Sequence, residues 1–331
     1  MRRTIQISGC VCVMLMVVGS VSAARVWVPE QMMVNSQPFL CGEQTSLAMY
    51  LGTQPVVCAR NPQSSPATVR RSPFGWESFS RSGYIAGDGG RNILDAAYPV
   101  NYSSDGYFYS AGGNNPGSRP MSFRGGSWYK IGPEWTYSTS SDSNPCVAAD
   151  PTGRVYMAAG YEMAMSLGSS WSTPRNLNEF NINRVSDLSI SCHGEPAVSG
   201  YGPGGEKMVA WFDFKTAGWH TRTLASQYGF NDTIGVEWDT LGNLGVAYTP
   251  SNSVVKFDFL DIETGLWSSE VAYSNANGGF LGAALAYDRF DLPVIASGQY
   301  LIYDPPAVPE PCMLLLMLGS LGLLGRKIRR Q

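Results

Sequence analysis

The sequence predicts an all-β fold assembled from a repeated unit of short strands, and three observations predict it. Charged residues are only 15% of the chain, while it holds 37 Gly and 12% aromatics, a balance that suits many turns and pleated buried surfaces rather than helix or disorder. Residues 147–171 lay out a short apolar strand, a Gly-marked turn, two further strands and a tryptophan, and that plan recurs. The run from Val147 through Gly153 to Tyr156 aligns without gaps on the run from Val100 through Gly106 to Tyr109, and looser copies surround Tyr50, His193, Asp239 and Asp288. With Tyr50, Ser103, Asp150, His193, Asp239 and Asp288 as equivalent anchors, the spacings are 53, 47, 43, 46 and 49. The third observation took no part in that alignment: Trp76, Trp128, Trp171, Trp219 and Trp267 follow the first five anchors by 21 to 28 residues. Repeats of about 40–50 residues, each holding several short strands, are the signature of a β-propeller, in which every blade is a small twisted sheet packed on its neighbours. The indoles are expected near the outer strands, filling space between blades.

Six repeats predict six blades over residues 24–306, with seven blades as the alternative if the stretch 60–92 conceals one more. The sixth repeat ends at Asp304-Pro-Pro without reaching a tryptophan, while Ala24-Arg-Val-Trp27-Val28 stands unassigned at the other end. Residues 24–28 are therefore expected to pair beside the strands holding Val294 and Ile302. A last blade built from both chain ends would leave no free row of backbone donors and acceptors.

At the N-terminus, Arg2 and Arg3 precede an apolar run at 10–18, and Val21 and Ala23 occupy the positions that a signal peptidase reads, so residues 1–23 read as a secretory signal peptide. The C-terminus carries Pro309-Glu310-Pro311, an apolar run at 312–325, and the basic cluster Arg326, Lys327, Arg329 and Arg330. Fourteen apolar residues are short for an independent membrane span, and flanking basic residues stay on the cytoplasmic side. In order and position these parts resemble the PEP-CTERM sorting signal of bacterial surface proteins. That resemblance implies an exosortase as processing partner, an inner-membrane intermediate, and a final place at the cell surface or outside the cell. It covers residues 307–331 and is silent on the chemistry of the repeats. The repeats themselves are similar to secreted bacterial propellers with Asp-x-x-Gly turns, matched at Asp150-Pro-Thr-Gly153 and Asp239-Thr-Leu-Gly242. Ser103, His193 and Tyr50 depart from that pattern.

Without the two sorting segments the chain holds 17 basic and 25 acidic residues. So acidic a surface disfavours nucleic acid. Two His in the whole chain leave little material for His-based metal or acid–base sites. No G-x-S-x-G elbow and no Ser-x-Asp-x-Gly-x-Thr-Trp box occurs. Export permits disulfides, and of the four cysteines in the mature region Cys41 is expected with Cys58 and Cys146 with Cys192, four buried thiols being the alternative.

In a propeller the loops leading into the innermost strands ring one mouth. Those loops carry Glu43, Asp142, Asp187 and Asp232 six to eight residues before their anchors. Four carboxylates around one axis suit a cation such as calcium, or the hydroxyls of a polysaccharide. The plainer alternative is that Asp begins turns there by accepting from nearby backbone N–H groups. The sequence as a whole predicts an exported, non-enzymatic propeller that binds polysaccharide or envelope protein and needs no cofactor. A secreted glycan-active hydrolase or lyase on the same scaffold is the alternative, since a pair of carboxylates would suffice for hydrolysis.

Overall fold

The computed structural model describes residues 25–41, 45–50, 52–59, 67–78, 108–112, 117–124, 127–130, 135–136, 145–226 and 232–304. The signal segment, Glu43, Ser103, Asp142, most of the stretch 60–92 and the sorting motif lie outside the described residues.

After β1 (Val28–Gln31) and a small hairpin of β2 (Met33–Val34) and β3 (Gln37–Pro38), strands come in groups of four. Sheet I holds β4 (Thr45–Tyr50), β5 (Gln54–Ala59), β6 (Ala67–Ser72) and β7 (Gly75–Ser78). Sheet II holds β8 (Phe108–Gly112), β9 (Gly117–Arg124), β10 (Ser127–Lys130) and β11 (Trp135–Thr136). Sheet III holds β12 (Cys146–Ala149), β13 (Val155–Ala159), β14 (Glu162–Met165) and β15 (Arg175–Asn176). Sheet IV holds β16 (Arg184–Ile190), β17 (Pro196–Tyr201), β18 (Lys207–Asp213) and β19 (Gly218–Ala225). Sheet V holds β20 (Thr233–Trp238), β21 (Leu244–Ser251), β22 (Val254–Asp261) and β23 (Leu266–Ser274). Sheet VI has only β24 (Gly282–Tyr287), β25 (Pro293–Ser297) and β26 (Tyr300–Tyr303) from its own stretch of chain, and β1 supplies its fourth strand.

Sheets I, III, IV and V are antiparallel meanders in chain order, whereas in sheet II β8, β10 and β11 all pair with β9. The first strands of successive sheets lie side by side, β8 next to β12, then β16, β20, β24 and β4. Between β20 and β24 the approach becomes parallel pairing, Thr233 to Gly282 and Ile234 to Ala283, which joins sheets V and VI into one eight-stranded array. Gly235 allows it, because a Cβ there would run into the backbone nitrogen of Leu285. Elsewhere side chains of one first strand satisfy the free edge of the next. Ser186 Oγ accepts from Ile234 N–H at 2.8 Å, Asp187 Oδ2 from Val236 N–H at 2.9 Å and Ser189 Oγ from Trp238 N–H at 3.3 Å. Inner edges that would otherwise expose unpaired donors are covered in this way.

The apolar cores lie between sheets. Alternation along β20 sends Ile234, Val236 and Trp238 toward Ala197, Val209 and Trp211 of sheet IV. Equivalent clusters join sheets III and IV, V and VI, and VI and I. Four of the five repeat tryptophans sit in or just before the fourth strand and face the preceding sheet. Trp171 meets Trp135 at 5.9 Å between ring centroids, Trp219 stacks at 4.6 Å on Phe180, Trp267 meets Trp211 at 5.5 Å, and Trp76 Nε1 donates to Glu30 at 2.9 Å. Trp128 falls instead in β10, a third strand. Trp27 takes the same part for sheet VI, edge-on to Phe257 of sheet V at 5.4 Å.

Pairing of the two chain ends is antiparallel, from Val28 opposite Tyr303 to Gln31 opposite Tyr300. The strand is 28–31, not 24–28: Arg25 and Trp27 instead cross to Phe257, the guanidinium lying 5.1 Å from that ring. Two anchors also shift. The turn hydrogen bond made by Gly153 N–H to Asp150 O is made in sheet IV by Gly194 to Ser191 and in sheet I by Gly52 to Met49, so Ser191 and Met49, not His193 and Tyr50, are equivalent to Asp150.

The expected disulfides are not formed: no S–S bond joins Cys41, Cys58, Cys146 or Cys192. Cys146 opens β12 level with Ser186, to whose carbonyl its thiol donates at 3.2 Å, while Cys192 lies beyond the far end of β16. A strand of that length separates them by roughly 15–20 Å, against the ~7 Å limit for bridged Cα atoms. Cys41 is held by its N–H to Gly298 O in sheet VI, and Cys58, on β5 opposite Ser46, is near enough to act on the Cys41 thiol without being bridged to it. Burial pushes the Cys41 thiol up to about 12.

Candidate functional site

The first strands run parallel, so the molecule has two distinct ends: one where the chain enters these strands, and one where turns lead from first to second and from third to fourth strand. Of the four predicted carboxylates, Asp187 and Asp232 are described, and both stand at or near the entry end. Asp187 caps the β20 edge as given above, and its Oδ1 also accepts from Leu188 N–H at 2.9 Å. Asp232 pairs with Lys207, a side chain with no exposed surface. Lys207 Nζ donates at 3.2 Å to Asp232 Oδ2, at 2.8 Å to Thr249 O and at 3.2 Å to Thr249 Oγ1, so its three donors are spent. Burial lowers the Lys207 pKa, and Asp232 opposes that shift. Tyr201 and Ser186 hydroxyls add bonds to the Asp232 carbonyl. Both carboxylates therefore hold the fold together, and no cluster of three potential metal-ligating side chains occurs among the described residues.

At the opposite end the repeat turns are built alike. Asp150 Oδ1 accepts from Thr152 and Arg154 N–H, Asp239 Oδ1 from Leu241 and Asn243, Asp288 Oδ1 from Phe290 and Leu292, and Ser191 Oγ from His193 and Glu195, all between 2.7 and 3.1 Å. These are Asx-type turns, and Gly153 and Gly242 close two of them at φ +81° and +83°. One repeat differs chemically. Asp239 gives its second oxygen to Asn243 Nδ2 at 2.9 Å, but Leu292 stands at the matching position of the sixth repeat, and Asp288 Oδ2 is left buried without a partner.

Asp288 lines a cavity of about 170 Å³ at the ends of β4, β20 and β24. Its walls are Met49, Glu237, Trp238, Ala286, Tyr287 and Asp288, and its rim is Gly52, Thr240, Arg289 and Asp291. Three buried polar atoms among these residues lack partners: Asp288 Oδ2, Tyr287 Oη and Trp238 Nε1. Asp288 is 3% exposed and Trp238 5%. Asp291 is fixed by Thr240, whose N–H donates to Oδ1 at 2.9 Å and whose hydroxyl donates to Oδ2. Glu237 accepts from Ser189 Oγ at 2.9 Å. Burial, reinforced by Asp187, pushes the Glu237 carboxyl up to about 8, and burial pushes Asp288 up to about 6. The cavity thus offers two carboxyl groups with raised pKa values, one of them with an unpartnered oxygen, beside the Met49 thioether and aromatic residues. A buried polar group without a bond costs about 1–3 kcal/mol, which a hydroxyl-bearing guest would recover.

The sequence places the candidate carboxylates at the entry end, whereas the cavity lies at the turn end and is lined by Glu237, Asp288 and Asp291. Asp288 was visible only as a repeat anchor. The signal that separates it from Asp239 is the change from Asn243 to Leu292.

Six successive groups of short strands, first strands side by side, cores between sheets and a polar cavity at one end of the first strands define a β-propeller-type all-β protein. No protein-family model matches the chain, and no curated protein sequence does. Solved structures do. The chain is similar to the SapL1 lectin in complex with alpha methyl fucoside, at 13% identity and a TM-score of 0.57, over 78% of this chain and 90% of that one. A gluconolactonase from Xanthomonas campestris aligns at 12% identity and a TM-score of 0.52, over 80% and 86%. An aldose sugar dehydrogenase from Streptomyces coelicolor in its PQQ-bound form aligns at 11% identity and a TM-score of 0.51, over 84% and 98%. Identities this low establish a common fold and no common chemistry.

Proposed function

We propose that the chain is an exported six-bladed propeller, closed by β1 on β26, that binds a saccharide through hydroxyl groups seated in the cavity between β4, β20 and β24. The observation that carries the binding reading is Asp288 Oδ2, a buried carboxylate oxygen without a partner on a residue that lines this cavity beside Glu237 and Asp291. Evolved interiors rarely leave such groups idle. A lectin among the structural relatives agrees with that reading, and so do the sugar-derived names of the two enzymes. Export rests on residues 1–23 and on the PEP-CTERM-like tail, which would hold the protein at the inner membrane until an exosortase acts. A calcium ion is not required by this site.

The second reading is a glycan-active hydrolase. It is favoured by one observation, that Glu237 and Asp288 share a cavity wall with carboxyls pushed to different heights, the pattern by which an acid and a base divide their roles. A glycan-array and hydrolysis screen of residues 24–306 separates the two. Binding without turnover supports the module, turnover lost in Glu237→Gln supports the hydrolase, and neither binding nor turnover across the array contradicts both.

A further inference from the structure

The turn end of the propeller carries an apolar surface that the cavity does not use. Turns are normally polar, because their tips face water. Here Phe74 is fully exposed at the tip between β6 and β7, Phe214 is 56% exposed between β18 and β19, Leu241 74% between β20 and β21, and Phe290 55% between β24 and β25. Leu167, in the loop after β14, is 55% exposed, and Leu266, opening β23, is 69% exposed. These six side chains come from sheets I, III, IV, V and VI, and meander topology puts all of them at the same end. β26 is the third strand of its sheet, so the described chain also leaves the molecule there, at Asp304. The next seven residues, 305–311, contain four prolines, and the apolar run begins at Cys312. A proline-rich connection rises about 3.1 Å per residue, so the tether keeps this end within about 25 Å of wherever that run is seated.

We infer that the turn end is a lipid-docking face, with Phe74, Phe214, Leu241 and Phe290 entering the interfacial layer of the membrane that holds the tail. The inference rests on the sorting-tail reading. A lipid surface fits better than a protein groove because the apolar tips are spread singly around the rim, each on its own turn, rather than joined in one concave patch. A bilayer interface accepts separate aromatic and leucine tips of this kind. Docking brings the cavity rim, Gly52, Thr240 and Arg289, against the membrane, so a ligand reaches the cavity after the propeller is released.

The test uses the full chain reconstituted in phosphatidylcholine–phosphatidylethanolamine vesicles, read by amide hydrogen exchange against the same chain in detergent. Turns 72–75, 213–218, 239–243 and 288–292 should exchange at least tenfold more slowly on vesicles, and turns 202–205 and 251–254 at the other end should not change. In a variant combining Phe74→Ser, Phe214→Ser, Leu241→Ser and Phe290→Ser, all exposed sites, the slowing should vanish while the protein still sediments with the vesicles. A chain that does not sediment with vesicles overturns the tail reading. A chain that sediments but shows no slowing, or slowing at the entry-end turns, overturns the docking face and leaves the tail reading standing.

Discussion

At the scale of single residues, two buried charge sites make opposite demands. Lys207 has no exposed surface and depends on Asp232 and Thr249. Removing one partner of a buried pair leaves the other charge uncompensated, at a cost of about 3–5 kcal/mol. Asp232→Ala should lower the urea-unfolding free energy by that order, while the double change Lys207→Met with Asp232→Leu should cost much less. Glu237 and Asp288 titrate the other way. Their folded pKa values are raised, from 4.5 to about 8 and from 3.8 to about 6, so the folded protein holds these protons more tightly than the unfolded chain. Their contribution to stability is complete below the ordinary carboxylate range and is lost as pH rises through 6 and then 8. A thermal-melting series should therefore show Glu237→Gln gaining on the wild type between pH 5 and 9. A stability difference that stays constant across this range would show that Glu237 is ionised in the folded protein throughout.

At the scale of elements, the repeat period was legible because each sheet must rebuild the same turn and the same wedge. The Asx-type turns at Asp150, Asp239 and Asp288 and the indoles of Trp76, Trp171, Trp219 and Trp267 are conspicuous residue types with a fixed job. Where the job passed to another residue, the reading slipped. Ser191 accepts the two backbone N–H bonds that Asp accepts elsewhere, and a serine in a polar turn gives no warning of it, so the anchor was placed on His193. The disulfide expectation failed for a related reason: spacing showed that Cys146 and Cys192 belong to neighbouring strands, but their height along those strands depends on the anchor. The surplus N-terminal tryptophan was read correctly as the missing wedge of sheet VI, although its strand begins at Val28. Because β1 supplies the outer strand of that sheet, deleting residues 25–31 should reduce stability far more than trimming a frayed end does. Trp27→Ala alone should cost about 2–4 kcal/mol by equilibrium unfolding, somewhat below the range for wholly buried aromatic residues.

At the scale of the whole molecule, the all-β repeat architecture was legible in the sequence and the turn-end cavity was not. The cavity arises where three first strands end together, and its members come from β4, β20, β24 and the turns that follow, too far apart in the chain for any local pattern to join them. The carboxylates that did form a pattern, Asp187 and Asp232, proved to cap an edge and to neutralise a buried lysine. The proposed export makes its own prediction: if residues 307–331 hold a precursor at the membrane, deleting 308–331 should yield a soluble exported protein, seen by fractionating cells that express both forms. Retention of the deleted form in the cytoplasm would contradict the signal-peptide reading. The central claim, that the turn-end cavity and not the entry-end carboxylates binds the ligand, is tested most directly by titrating a saccharide found on the array into wild type, Asp288→Asn, Glu237→Gln and Asp187→Asn, with affinity read by calorimetry. The account predicts at least a tenfold loss of affinity for Asp288→Asn and Glu237→Gln and an unchanged value for Asp187→Asn. Full affinity in the first two with a loss in Asp187→Asn would contradict it.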